Sequence, residues 1–201
     1  MTHNQNPGFV KHKETRSGSL FLTGSGPSLL KAPLELLEKV DVMCMNHTIF
    51  FLMKQNPRYW IFVDGLQEFW RFMPAALHNG QTALVSRIVS NKPANLSHEG
   101  LVYFNTCDLP GHCDYCTLDS ALGIAIYLGY ERVYLVGCDG GGGHIVHPST
   151  KDPKSYRWTD ATIKRHGELI EIVSAGAFHG MEYLKHLSLE DAVAEALGEE
   201  Q

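Results

Sequence analysis

The chain has 201 residues, of which 44% are hydrophobic and 19% charged, and its formal net charge is −5. This composition is that of an ordinary globular protein, and its acidic balance argues against binding nucleic acid mainly through phosphate contacts. No apolar stretch approaches the ~20 residues that a membrane helix needs. The polar N-terminus has no signal-peptide hydrophobic region, and five cysteines without a secretion signal indicate a reducing cytoplasm. We predict a flexible arm over residues 1–18 and one domain over residues 19–201.

The first predicted strand, residues 20–23, runs directly into the sequence Gly-Ser-Gly-Pro-Ser-Leu at residues 24–29. Two glycines and a serine after a strand permit a tight turn whose backbone N–H groups point at an anion. The glycine spacing is not that of the dinucleotide fingerprint, and the P-loop lysine is absent. A phosphate-binding turn and a plain strand-to-helix turn therefore both stay open.

The next two predicted strands, residues 40–45 and 59–63, end at Asn46 and Asp64. Since the carboxyl ends of parallel strands meet at one edge of a sheet, these side chains indicate a ligand crevice there. The alternative is turn chemistry, which both residue types favour. Further strands at 82–89 and 101–104, with a helix at 66–77, complete an alternating pattern. It predicts a Rossmann-like α/β fold, a doubly wound, mostly parallel sheet with helices on both faces.

Three cysteines and a histidine lie within residues 107–116. Cys113 and Cys116 have the two-residue gap usual in zinc sites, and Cys107 is a third candidate ligand. A fourth ligand would come more easily from His144, His147 or Cys138 than from His112. The second Cys-x-x-Cys is missing, so zinc and ordinary thiols both stay open.

The helix whose start Thr117 can cap is apolar on every face from residue 121 to 128, so we expect it to be covered on several sides. Gly129 suits its C-terminus, where a positive φ is wanted. The apolar run 133–136 then predicts a buried parallel strand that leads to Asp139. The loop after this strand lies where a parallel sheet binds ligands, so Asp139 is the first candidate functional side chain.

The segment after Asp139 is glycine-rich and carries His144 and His147. Loops in this position often act as lids, and either histidine could serve as a general base or be a surface residue. Beyond this loop, we predict a helix over residues 159–175, a strand over 181–184, and a capped helix from Ser188 to Leu197.

Several of these segments together resemble the bacterial lipooligosaccharide sialyltransferases. Residues 24–29 are similar to their Gly-x-Gly-Pro-Ser-Leu turn, and residues 44–46 to the end of their second strand. Residues 125–139 resemble their Ala-Leu-Gly-Tyr, strand, Gly-x-Asp block. A related turn occurs in the archaeal 6-hydroxymethylpterin diphosphokinase-like proteins and their flagellin-modification relatives. The likeness spans roughly residues 19–188, as expected for one domain.

The resemblance implies a nucleotide-activated sugar as donor substrate, transfer without a metal or other obligatory cofactor, and a histidine base. It also implies that the nucleotide's phosphate and ribose meet the first turn, at Gly24, Ser25, Gly26 and Ser28. Asn46 would orient the donor. Thr117 stands where the sialyltransferases have a Thr-Ser-Gly that meets the nucleotide.

Three hypotheses follow. In the first, the chain is a glycosyltransferase in which Asp64 and Asp139 bind sugar or ribose hydroxyls, and His147 or His144 deprotonates the acceptor. In the second, it is a diphosphokinase in which Asp64 and Asp139 hold Mg²⁺ while the glycine turn cradles ATP. The third is a non-catalytic nucleotide-binding or zinc-stabilised module. The acceptor, the nucleotide base and the oligomeric state, including a homo-oligomer, stay open.

Overall fold

A single parallel sheet organises the part of the chain that the computed structural model describes, namely residues 7–63, 67–86, 100–111, 116–139, 145, 153–176 and 182–198. Its eight strands lie in the order β5-β4-β3-β2-β1-β6-β7-β8, and every neighbouring pair is parallel. The strands are β1 Ser19–Thr23, β2 Val42–Met45, β3 Tyr59–Phe62, β4 Thr82–Ser86, β5 Leu101–Phe104, β6 Arg132–Val136, β7 Glu171–Ala175 and β8 Lys185–Leu187.

Helices connect these strands. The α-helices are α1 Pro7–Val10, α2 Ile49–Leu52, α3 Gln67–His78, α4 Thr117–Leu128, α5 Pro153–His166 and α6 Leu189–Leu197. Short 3₁₀ segments cover Pro27–Lys31, Leu34–Lys39, Asn46–Thr48, Met53–Gln55 and Thr106–Asp108. Within the described ranges, each helix is too short or too polar to cross a bilayer.

The strand order reverses at β1. The chain adds β2 to β5 on one side of β1 and then returns to add β6 to β8 on the other side. Such a reversal sends the chain to opposite sides of the sheet after the two central strands, β1 and β6, and open α/β sheets bind ligands near this point. The fold therefore directs attention to the loops after β1, β2 and β6.

Both faces of the sheet are covered, as the apolar strand sequences require. Leu22 of β1 lies in a buried cluster with residues of α4 and α5. Its neighbour Phe21 points to the opposite face and lies in a second cluster with Phe69 of α3 and Val193 of α6. The predicted Rossmann-like architecture, with helices on both faces, is confirmed.

The end of the chain differs from the sequence prediction. The helix predicted over residues 159–175 ends at His166, and β7 occupies Glu171–Ala175. Gly167 follows the last helical residue, and the β-branched Ile170, Ile172 and Val173 favour a strand. Ile170 and Val173 also continue the helical spacing of Ile163 and His166, which is why the prediction was wrong. The final strand is Lys185–Leu187 rather than 181–184, whereas the helix capped by Ser188 is confirmed.

The N-terminal segment also differs from the flexible arm that we predicted over residues 1–18. From Pro7 onward the chain packs on α4. Phe9 is buried, and its ring stacks on Tyr127 with centroids 4.3 Å apart. The Glu14 N–H donates to the Tyr127 carbonyl at 2.9 Å, and the Arg16 N–H donates to the Leu128 carbonyl at 2.9 Å. Residues 1–6 lie outside the described residues.

A buried polar cluster joins the first turn of α4 to the last turn of α5. The carboxylate of Asp119, which is buried, accepts hydrogen bonds from His166 Nε2 at 2.6 Å and from the Arg165 guanidinium at 2.5 Å. The His166 side chain is fully buried, and its Nδ1 has no hydrogen-bond partner among the described residues. Asp119 therefore supplies the polar partner that offsets the cost of burying the His166 ring.

The cluster leads to a stability prediction. Replacing Asp119 by Ala leaves the buried His166 ring unsatisfied at both nitrogens, so we expect the free energy of unfolding to fall by about 3 kcal/mol or more. Urea denaturation followed by circular dichroism measures this change as a lower midpoint with an unchanged m-value.

The matched control is Asp160→Ala. Asp160 pairs with Lys164 one turn away on the exposed surface of α5, and its loss should cost only a small fraction of the Asp119→Ala effect. Equal losses in the two variants would contradict a special role for the buried cluster.

Candidate functional site

The loops after β1 and β6 are joined along what we call the β1–β6 seam, formed by residues 24–28 and 137–139. The Gly24 N–H donates to the Val136 carbonyl at 2.8 Å, and the Gly26 N–H donates to the Gly137 carbonyl at 2.7 Å. The Ser28 N–H donates to Asp139 Oδ2 at 2.8 Å, and the Ser28 hydroxyl donates to Oδ1 of the same carboxylate. The predicted turn and the predicted acidic residue are therefore direct neighbours.

Glycine is needed in the seam because two backbones approach closely. A Cβ atom at Gly24 or at Gly26 would lie 2.6 Å from the Gly137 carbonyl oxygen, and at Gly26 it would also overlap the Asp139 carboxyl group. Gly137 has a φ of +67°, a conformation that side chains rarely adopt. For Gly24 and Gly26 the sequence left open a phosphate-binding turn or a plain turn, and in the structure all three glycines let the two loops touch.

The seam changes the interpretation of Asp139. Its carboxylate is buried, and both oxygens accept hydrogen bonds from Ser28. A carboxylate held in this way positions the turn after β1, which favours a structural role over the predicted catalytic, hydroxyl-binding or Mg²⁺-binding role. Likewise, the N–H groups of Gly24, Gly26 and Ser28 donate to β6 or the loop that follows it, so these three groups already have partners within the protein.

Asn46 and Thr117 form a second contact at this edge of the sheet. Asn46 follows β2 with a φ of +50°, which asparagine tolerates better than most residues. Its Nδ2 lies 3.1 Å from the Thr117 hydroxyl at the start of α4, and that hydroxyl lies 3.3 Å from Asn46 Oδ1. The Asn46 carbonyl accepts a hydrogen bond from Trp60 Nε1 at 2.8 Å, which fixes the backbone. Two residues predicted separately to meet a nucleotide thus lie side by side.

Ser25 connects the turn after β1 to the segment that follows Asp139. The Ser25 carbonyl accepts a hydrogen bond from the Ile145 N–H at 2.8 Å, so this point of the segment returns to the crevice. His144 and His147, the predicted bases, lie outside the described residues, as does Asp64. Their predicted roles stay predictions.

The thiols near the site are protonated at neutral pH. Burial raises the pKa of Cys44 and of Cys138 to about 12, and burial also raises the pKa of Cys116. Because zinc binds the thiolate, these environments do not favour metal binding. Among the described residues no three side chains are grouped to hold a metal, although Cys113 and His112 of the predicted zinc site lie outside them.

The structure reveals one polar pair that the sequence analysis did not single out. His47, the residue after Asn46, is buried, and its Nε2 lies 2.5 Å from Oε1 of Glu68 in the first turn of α3. The His47 ring also packs edge-on against Phe69, with centroids 4.8 Å apart. The only signal in the sequence was that His47 directly follows Asn46. The sequence did not show that α3 would bring Glu68 next to it.

A polar hollow of about 390 Å³ lies at the opposite edge of the sheet, where β2 and β3 begin. Arg58 and Asp41 in its wall form an ion pair at 2.6 Å, and Asp41 also accepts a hydrogen bond from Tyr130 at 2.6 Å. Arg58, Asp41 and Tyr130 thus use one another as ion-pair and hydrogen-bond partners, and the hollow faces away from the carboxyl ends of the strands. The better candidate site is therefore the crevice beside the seam.

A solved structure of a sialyltransferase shares this fold, and a second is reported with it. The monofunctional α-2,3-sialyltransferase Cst-I from Campylobacter jejuni matches 79% of this chain and 75% of its own, with a TM-score of 0.50 and 16% identity. The sialyltransferase CST-II in complex with a trisaccharide acceptor and CMP matches 78% of this chain and 80% of its own, with a TM-score of 0.43 and 16% identity. No protein-family model matches the sequence, and no curated protein matches it. The chain has a sialyltransferase-like fold.

The seam leads to a prediction about Gly26. In Gly26→Ala the new methyl group must displace the Asp139 carboxyl group or the Gly137 carbonyl, so we expect a loss of about 2 kcal/mol in the free energy of unfolding. Urea denaturation measures the loss.

The control variant is Ser25→Ala in the same turn. The Ser25 contact described above uses the backbone carbonyl, so this substitution should change stability by less than about 0.5 kcal/mol. If Gly26→Ala is as stable as the unaltered protein, the two loops are not packed together as described.

Proposed function

We propose that the chain is a transferase that uses a nucleotide-activated donor, and specifically a glycosyltransferase of the sialyltransferase type. The observation that carries the proposal is the convergence of the turn after β1, Asn46 and Thr117 at the reversal point of a sheet with a sialyltransferase-like fold. Fold alone does not define chemistry, so the proposal depends on these side chains and on the test below.

Asn46 and Thr117 would bind the nucleotide part of the donor. An asparagine amide offers two N–H donors and an acceptor oxygen, and a threonine hydroxyl offers one donor and two lone pairs. Their mutual hydrogen bond therefore orients both groups and leaves further capacity for a ribose or phosphate. The backbone of Asn46, fixed by Trp60, makes the arrangement preorganised.

The structural neighbours suggest which donor to test first. Structures of the sialyltransferase CstII from Campylobacter jejuni have been solved with the substrate analogues cytidine-5′-monophosphate and CMP-3FNeuAc. A cytidine nucleotide is thus the first ligand to test.

In the proposed reaction, the acceptor oxygen attacks the anomeric carbon as the bond from that carbon to the phosphate oxygen breaks. The electron pair leaves with the phosphate, and hydrogen-bond donors stabilise the charge that develops there.

A ligand screen tests the donor proposal. We expect CMP or a CMP-sugar, rather than UDP- or GDP-sugars or ATP with Mg²⁺, to stabilise the protein in a thermal-shift assay, without any need for a divalent metal. A ligand at a hundred times its Kd adds about 2.7 kcal/mol of apparent stability.

In Asn46→Asp, a carboxylate replaces the amide beside the phosphate, so we expect the affinity for the nucleotide to fall at least tenfold.

Asn46→Asp is informative because aspartate also tolerates positive φ, so the fold should persist. Asn56→Asp is the matched control, since Asn56 has a φ of +49° at the opposite edge of the sheet, outside the crevice. A stabilising effect of ATP with Mg²⁺ alone would favour the diphosphokinase alternative. Binding without any transfer or donor hydrolysis would favour a non-catalytic module.

The finer proposal is that His147 or His144 is the general base. Replacing the base by Ala should lower kcat by about 10²–10⁴-fold, because proton transfer in the transition state is lost, while the Kd for the donor changes little. Steady-state kinetics with the donor identified by the screen, compared between His144→Ala and His147→Ala, separates the two residues. Unchanged kcat in both variants would exclude a histidine base in this segment.

A further inference from the structure

We propose that His47, Phe50 and Glu68 form the subsite for the acceptor, and that this subsite takes an uncharged hydroxylated ring such as a neutral pyranoside. We call these three residues the acceptor patch. The inference rests on the proposed function, because it assigns the acceptor of the same transfer reaction. The sequence analysis gave none of the three residues a role.

The position of the acceptor patch follows from the chain path. His47 is the residue after Asn46, and Phe50 lies in α2, which continues from the same strand end. Glu68 lies in the first turn of α3, which follows β3, the neighbour of β2 in the sheet. All three residues therefore belong to the segments that leave the carboxyl edge of the sheet next to the proposed donor site.

The carboxylate of Glu68 is both exposed and oriented. Its side chain is 56% exposed, whereas the His47 side chain that donates to it is 8% exposed. A buried imidazole thus fixes one carboxylate oxygen at 2.5 Å, while the group as a whole stays open to solvent. Because the Glu68 side chain is exposed, solvent screens this pair and limits its contribution to stability. Its geometry fits recognition better, since a preorganised carboxylate accepts hydrogen bonds from ligand hydroxyls without losing freedom on binding.

Phe50 supplies an apolar surface next to His47, the residue that holds this carboxylate. Its ring is held edge-to-face against Phe72, with centroids 4.6 Å apart, and lies 5.8 Å from the His47 ring. The residue nevertheless remains 37% exposed. The face of an aromatic ring is electron-rich, so it attracts the positively polarised C–H groups on one side of a pyranose.

The charge of the acceptor patch selects the class of ligand. An aromatic ring and a carboxylate that both adjoin His47 match a sugar ring, which has apolar C–H faces and hydroxyl donors at its rim. The Glu68 carboxylate would repel a ligand carboxylate at hydrogen-bond distance. The patch therefore fits a neutral sugar better than an acidic one.

Saturation-transfer NMR tests this inference with simple glycosides as probes. The probes are methyl glycosides of galactose, glucose and N-acetylglucosamine, with the methyl glycoside of N-acetylneuraminic acid as the charged comparison, each with and without CMP. We expect at least one neutral glycoside to bind in the millimolar range. Glu68→Ala and Phe50→Ala should each weaken that binding at least tenfold, whereas the Kd for CMP should not change.

Phe51→Ala is the matched control, because Phe51 is an equally exposed phenylalanine of α2 that is not part of the acceptor patch. It should leave glycoside binding unchanged. The inference is overturned if no neutral glycoside binds, if Phe51→Ala weakens binding as much as Phe50→Ala, or if the charged glycoside binds equally well through Glu68.

The outcomes also separate this inference from the proposed function. If CMP binds and the glycosides do not, the acceptor patch is wrong and the donor proposal stands. If no nucleotide binds in the screen, the donor proposal fails. Glycoside binding that Glu68→Ala and Phe50→Ala weaken would then show a sugar site that is not an acceptor subsite. Where transfer is measurable, Glu68→Ala should raise the KM for the acceptor and leave the KM for the donor unchanged.

Discussion

The close approach of the loops after β1 and β6 is the constraint on which the candidate site depends. The two strands pair in register over their full length, from Ser19 opposite Arg132 to Thr23 opposite Val136, so the residues that follow them emerge side by side. Without Cβ atoms at Gly24 and Gly26, their backbones can hydrogen-bond, and Ser28 then reaches Asp139. The seam holds the turn after β1 against the end of β6. It thereby fixes one wall of the crevice relative to the other strands.

Elements whose signals are local could be predicted from the sequence. The helix α4 begins at Thr117 and ends before Gly129, whose φ of +98° is the conformation that its position predicted. Ser188 caps α6 through the Asp191 N–H, as the pattern indicated. The segment that forms β7 was predicted as helix because Ile170 and Val173 fit a helical period as well as a strand, and pairing with β6 decided between the two. The packing of Phe9 on Tyr127 could not be foreseen, because it joins residues far apart in sequence.

For the candidate site, the rule that ligands lie beyond strand ends identified single residues but not their partners. Asn46 and Thr117 are 71 residues apart, and Ser28 and Asp139 are 111 residues apart. Which strand ends become neighbours depends on the order of strands in the sheet, and that order could not be predicted from the single sequence. The same rule does not distinguish two roles for Asp139, because the sequence of an acidic residue at a strand end is the same whether it contacts a ligand or a neighbouring loop. The contact between His47 and Glu68 could not be predicted either, because it too depends on which strands are neighbours.

The structure suggests how two substrates could meet at one strand end. Asn46 and His47 are consecutive, yet Asn46 contacts Thr117 of α4 on one face of the sheet, and His47 packs against Phe69 of α3 on the other. Positive φ at Asn46 produces the turn that separates the two side chains. Since backbone N–H groups of the glycine turn are engaged in the seam, donor recognition would depend on side chains on the α4 face. The acceptor would then approach from the α3 face, and the end of β2 would bring the two reacting atoms together.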